Sequence, residues 1–208
     1  MSDCVVNELL NKPDNIEIIR EQIGAILHKE AANQYRLAQE AGDAAKEDYN
    51  IKVYLENETP LALLTNDDTK KFPYVNVTLD GTDMQSGSTK NSDKMMKAVF
   101  WIDCYNHGNF SGDGLTGRSA NIAVWKTARI VRNILCASDY TYLKLRGIVG
   151  SREVVKMQTG KPKLQNSAAN ISICRITLEV TYDEQSPGVQ GAMCERIDIA
   201  VDDDGLIC

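Results

Sequence analysis

The chain is poor in the residues that chemistry usually requires. Only two histidines and two tryptophans occur in 208 residues, and aromatic residues make up 6%. The six cysteines stand at 4, 104, 136, 174, 194 and 208. No two of them have the close spacing of a zinc knuckle, so a structural zinc site is not expected. No apolar run approaches the ~18 residues that a membrane span needs. A Gly-x-Ser-x-Gly elbow is missing, and so are the Walker and dinucleotide glycine spacings. The balance of charge is acidic, at −6, which argues against whole-surface affinity for nucleic acid but leaves room for a local basic patch.

What is present is the make-up of a globular domain, with 43% hydrophobic and 25% charged residues. A chain of this length buries about 70% of its unfolded surface and supports one core. The first twenty residues carry Asp3, Glu8, Asp14 and Glu17 instead of an apolar segment. The expectation is a protein made and kept in a cytosol, without a secretory signal. In that compartment Cys104, Cys136 and Cys174 are expected to be buried small hydrophobes. Cys4, Cys194 and Cys208 lie near the ends, where they could cross-link neighbours in an extracellular particle.

Residues 1–14 read as a leader that Pro13 closes. Asp14 and Glu17 have capping-box spacing, and Ile16, Ile19, Ile23, Ile26, Leu27, Ala31, Tyr35 and Ala38 follow helical periodicity. The spacing predicts a helix over about 15–41, ended by Gly42, with a solvated face through Glu17, Arg20, Glu21, Lys29 and Arg36. His28 falls among its surface or packing residues. Alternation predicts half-buried strands at 50–56 and from Phe72-Pro73 through Leu79. The segment MKAVFWIDCY, Met96–Tyr105, reads as a strand apolar on both faces. It is too apolar to leave exposed, so its edges are expected to be covered by the chain's own helices and by neighbouring subunits.

A helix over 118–137 should pack Ala120, Val124, Ala128, Val131 and Leu135 on the sheet, with Lys126, Arg129 and Arg132 as a basic group beside that stripe. The segments Tyr142–Val149 and Arg152–Met157 read as short strands. ISICRITLEVTYDEQSP, Ile171–Pro187, reads as a long closing strand with Cys174, Ile176, Leu178, Val180 and Tyr182 on one side. Two polar, glycine-containing stretches, 80–94 and 106–119, read as long loops, a length that in compact domains usually marks function. A last alternating piece, Ile197, Ile199 and Val201, precedes an acidic stop.

Few constellations suit catalysis. Asp103, His107 and Asp113 fall near one glycine-rich loop, and carboxylate with imidazole binds divalent ions that activate water. The same residues also read as an ordinary turn after a strand. GDGLTG at 112–117 before a helix is a weak anion-loop signal. The Asn-x-Ser/Thr triplets at Asn57, Asn76, Asn109 and Asn170 have no meaning without a secretory route.

The order of these elements — a long N-terminal helix, IKVYLEN, FPYVNVTL, MKAVFWIDCY, a helix with AxxxWKxAxxVRNIL, and RITLEVTYDEQSP — resembles the tail terminator (tail completion) proteins of tailed bacteriophages over roughly 15–187. The chain is longer than the usual small member through the 80–94 loop, the 150–168 region and the extension 188–208. The resemblance implies an α+β domain at 15–187, with a small mixed or antiparallel sheet flanked by the long helix and one central helix. It implies a non-enzymatic virion protein at the tail–head junction, assembled in the host cytoplasm and without a cofactor. Six copies would form a ring on the tail tube, stop polymerisation of the tube (and of sheath in contractile tails), and present the other face to the head connector. Genomic DNA would pass through the lumen unread. Thr82, Asp83, Met84, Gln85 and Ser86 of the first loop and Lys126, Arg129 and Arg132 of the helix are the partner-binding candidates. A head-completion or neck protein is the neighbouring alternative, and a metal-dependent hydrolase built on Asp103, His107 and Asp113 the distant one.

Overall fold

A computed structural model describes residues 13–57, 73–84, 94–108, 119–160 and 171–184. In chain order these form helix α1 (Asn15–Glu40), a 3-10 turn (Lys46–Tyr49), strands β1 (Lys52–Leu55), β2 (Tyr74–Met84) and β3 (Lys94–His107), helix α2 (Ala120–Cys136), a 3-10 turn (Ser138–Tyr140), and strands β4 (Val149–Gly160) and β5 (Ile171–Glu184). The class is α+β, as expected. The five strands make one sheet in the order β1-β2-β3-β5-β4. β1 runs parallel to β2, and every other pair is antiparallel.

α1 begins where the Asp14 carboxylate accepts the Glu17 backbone N–H at 2.9 Å, satisfying one of the free donors of the first turn. It ends at Gly42, whose φ of 66° suits glycine. There the Gly42 N–H donates to Gln39 at 3.1 Å and the Asp43 N–H to Ala38 at 2.9 Å, the paired bonds of a Schellman cap. Between these caps Ile19, Ile23, Ile26, Leu27 and Ala31 are buried. α2 starts at Ser119, whose hydroxyl accepts the Ile122 N–H at 3.2 Å, and buries the expected stripe of Ala120, Val124, Ala128, Val131 and Leu135. α1 lies over β1 and β2, and α2 over β3, β5 and β4. One continuous core joins both helices to the sheet face that carries Val75, Val77, Phe100, Ile102, Ile176 and Leu178.

β3 and β5 are the two central strands, registered from Lys94↔Glu184 to His107↔Ile171. This corrects the expectation that the chain's own helices and neighbouring subunits cover the 97–105 edges: β2 takes one edge and β5 the other. Cys104 and Cys174 lie opposite each other in that pairing, both buried, whereas Cys136 is exposed at the end of α2, against expectation. It follows Leu135 on the helix, so a step of about 100° carries it off the core face.

Other boundaries also differ from the sequence reading. The stretch taken as a loop from 80 to 94 is partly strand, since β2 continues through a bulge at Asp80 and pairs as far as Met84↔Met96, while β3 starts at Lys94. Ladder hydrogen bonds join backbones, so polar side chains at the exposed end of the ribbon do not interrupt them. Residues 85–93 lie outside the described residues. In the second loop Asn106 and His107 belong to β3, Ser119 caps α2, and 109–118 lie outside the described residues. The segment 142–148 is a series of turns, not a strand. Leu143 and Lys144 have φ of 50° and 59° and Gly147 has 93°, values closed to a β conformation. Leu143 and Leu145 are nonetheless fully buried, so their alternation reflects two anchors dropped into the core from a turn. β4 is longer than Arg152–Met157 and carries bulges at Gly150 and Val155. Among the described residues, no helix is long and apolar enough to cross a membrane.

Candidate functional site

The sheet face turned away from the helices holds Asp103 and His107, two of the residues that the sequence singled out for chemistry. Successive strand residues alternate between faces, so burying Ile102 and Cys104 against the helices sends Asp103 and Tyr105 to the other side. Both Asp103 oxygens accept from Arg175 of β5, Nε to Oδ1 and Nη2 to Oδ2 at 2.7 Å each. The Arg175 guanidinium also lies 3.8 Å from the centre of the Trp101 ring. Its hydrogen bonds to Asp103 push its pKa further up, against the effect of burial. Beside this group, Tyr74 and Tyr105 stack with ring centres 4.6 Å apart, and Tyr54 meets Tyr74 edge-on at 5.7 Å. Burial, followed by neighbouring negative charge, raises the Tyr74 and Tyr105 phenols far above the ordinary range. Asn76 is buried there as well, exchanging two hydrogen bonds with the backbone of Asn57 at 3.1 and 3.0 Å.

This arrangement gives Asp103 a structural task. His107 lies on the same face of β3 with Tyr105 between the two, and Asp113 is outside the described residues. Among the described residues, no group of three or more His, Cys, Asp or Glu side chains is placed to hold a metal ion.

The partner-binding candidates separate into different places. Thr82 and Asp83 are exposed on the far half of β2, beyond the four positions that pair with β1. Met84 ends that strand, and Gln85 and Ser86 lie outside the described residues. On α2 the basic trio divides. Lys126 is half-buried, donates to the Asp48 carboxylate at 2.5 Å and sits 5.3 Å from the Tyr49 ring centre. It fastens the first 3-10 turn to α2 and is not an open binding group. Arg129 and Arg132 are exposed.

Next to these arginines the structure adds residues that the sequence reading passed over. Ile122 is 63% exposed and Trp125 45%. The available signal was position: Trp125 follows Val124, and a one-residue step along a helix leaves the buried stripe. Beyond the end of α2, Ser138, Asp139, Thr141, Tyr142, Lys144 and Arg146 line an open cleft of about 460 Å³. Lys144 and Arg146 lie over the rings of Tyr140 and Tyr142, each 5.5 Å from the ring centre. The cleft is held from below: Arg152 donates to the carbonyls of Tyr140 and Ala137 at 2.5 and 2.6 Å, and the Tyr140 hydroxyl donates to the Glu30 carboxylate. The outcome is an open surface with two cations against one carboxylate, the cations lying over tyrosine rings.

No protein-family model matches the chain, and comparison with curated proteins gives no match.

Proposed function

We propose that this chain is a structural subunit of a tailed-phage particle, a tail terminator that caps the tail tube as a ring of six and offers its other face to the head connector. The observation that carries the reading is the exposure of Ile122 and Trp125 on a helix whose opposite side is locked into the core. Large apolar side chains held outward on a rigid element mark a contact surface. The element order that motivated the resemblance, a helix, three strands, a helix and one closing strand, recurs in the folded chain with β4 inserted before the closing strand. The engagement of both Asp103 oxygens by Arg175 disfavours the hydrolase reading. In the proposed role the far end of β2, with Thr82 and Asp83, reaches toward the tube, and sheath polymerisation ends at the same level where the tail is contractile. DNA passes through the ring without being read.

The test is a reconstruction of the head–tail junction from intact particles, calculated without imposed symmetry. Six copies at the top of the tube are expected, because each subunit must meet an equivalent subunit below. A twelve-fold arrangement, or placement at the distal tip, overturns the assignment.

A further inference from the structure

We infer that the acidic segment 197–204 of this chain docks on the outward face of its own α2 and on the cleft beyond it, and so covers that surface until a stronger partner displaces it. The inference goes beyond the proposed role and holds or falls without it. Its basis is the charge of the receiving surface, the place where β5 ends, and the sequence that follows.

The receiving surface is cationic and partly aromatic. No acidic residue stands in α2. Trp125, Arg129, Arg132 and Cys136 follow one another at steps of four, three and four residues, so they share one helix face, and all four are exposed. That face leads into the turn after α2, where Lys144 and Arg146 lie over the tyrosine rings of the cleft. Arg129, Arg132, Lys144 and Arg146 stand against one carboxylate in the cleft, Asp139. Of the neighbouring acids, Asp48 is held by Lys126 and Glu30 by the Tyr140 hydroxyl. Trp125 and Tyr142, 45% and 38% exposed, add flat apolar surface.

The described chain ends beside this surface. The Asp183 N–H donates to the carbonyl of Ile148 at 2.9 Å, and Ile148 stands two residues after Arg146. Residues 185–208 lie outside the described residues. Their sequence places one acid and one base, Glu195 and Arg196, in 185–196, and then reads Ile-Asp-Ile-Ala-Val-Asp-Asp-Asp from 197 to 204. That segment carries four carboxylates and four apolar residues, with no cation. Carboxylates suit arginine, whose planar fork they accept from, and the apolar residues suit Trp125 and Tyr142. A linker the length of 185–196, with two glycines, spans about 20 Å on average. This is close to the length of the 17-residue α2, about 25 Å. Tethering over such a distance gives an effective concentration in roughly the millimolar range, so a weak contact suffices to hold the segment. A polyanion from solution has no tether and must approach a chain whose net charge is −6.

Thiol proximity in the purified full-length chain tests this. Cys136 is exposed on the receiving face, and Cys208 stands four residues after Asp204. In a Cys194→Ser background at low protein concentration, brief treatment with the thiol oxidant diamide should join Cys136 to Cys208 within one chain, seen by mass spectrometry as a disulfide-linked peptide pair. Asp202→Lys/Asp203→Lys/Asp204→Lys and Arg129→Glu/Arg132→Glu should each lower the yield by about fivefold or more, as should high salt. Combining the two sets of reversals should restore the yield, and the melting temperature of each variant is compared with wild type to confirm folding. The inference is overturned if the link never forms, if Cys136 joins Cys4 as readily as Cys208, or if neither reversal nor salt changes the yield. It is also overturned by a link that joins isotopically distinct chains and grows with concentration, which denotes a second copy as the occupant. A titration with short duplex DNA covers the remaining occupant. Asp202→Asn/Asp203→Asn/Asp204→Asn should strengthen DNA binding by about tenfold, because it uncovers the cations. If this variant and wild type bind DNA equally well through Arg129 and Arg132, the face is already open and the inference falls.

Discussion

Arg175 and Asp103 form an unequal pair. The Asp103 side chain is 6% exposed and that of Arg175 38%, so the carboxylate depends on its partner while the guanidinium retains access to water. Arg175→Ala leaves a buried, unpaired charge and should destabilise the fold by about 3 kcal/mol. Asp103→Ala should cost less, because Arg175 can hydrate and stay over Trp101. Denaturant unfolding of both variants checks the ranking, and an equal or inverted order refutes the asymmetry. The role of Asp103 was not legible in the sequence. Its near neighbours His107 and Asp113 pointed to metal chemistry, whereas its true partner lies 72 residues away, brought opposite by the β3–β5 register.

At the scale of elements, α2 was the easiest to read and the easiest to read incompletely. Its periodicity identified the buried face, and Leu135 is fully buried in the core shared with the sheet. Leu135→Ala should therefore cost about 2–5 kcal/mol, seen as a lower denaturation midpoint. An unchanged midpoint would mean that the site is not packed as described. The outward face was missed because an amphipathic pattern assigns residues to inside or outside and does not ask whether the outside is polar. Segment 142–148 failed for another reason. Leu143 and Leu145 have strand spacing, but what decides the element is the backbone, with φ positive at Leu143 and Lys144, and side-chain alternation carries no information about φ.

For the molecule as a whole, the buried phenols and thiols tie stability to alkaline pH. Burial is the first cause throughout, assisted by Glu30 at Tyr140 and by Glu184 and Asp14 at Tyr182. It raises both of these phenols to about 12. Cys174 rises to about 11 and Cys104 rises with it. A group whose pKa is higher in the folded than in the unfolded chain favours folding below the unfolded pKa, and that contribution disappears as pH climbs to the folded value. Ordinary thiol and phenol values are 9.0 and 10.0. Stability should thus hold through neutral pH, begin to fall near pH 9 as unfolded thiols ionise, and fall more steeply between 10 and 12. Denaturant midpoints across this range, followed together with tyrosinate absorbance, check the prediction. Buried tyrosines that ionise well before unfolding would contradict it.

The sequence by itself determined the two helices, the caps of α1 at Asp14 and Gly42, the apolar faces of β3 and β5, and the α+β class. These are local properties, set by periods of 3.6 and 2 and by the backbone freedom of single residues. Tertiary structure alone decided the strand order, and with it which edges are covered. It also decided the bulges that lengthen β2 and β4, the pairing of Lys126 with Asp48, and the exposure of Trp125 beside Arg129 and Arg132. Each of these depends on which distant segments meet, and the free energy that selects such meetings comes from burying both partners together, a quantity that no stretch of sequence carries alone.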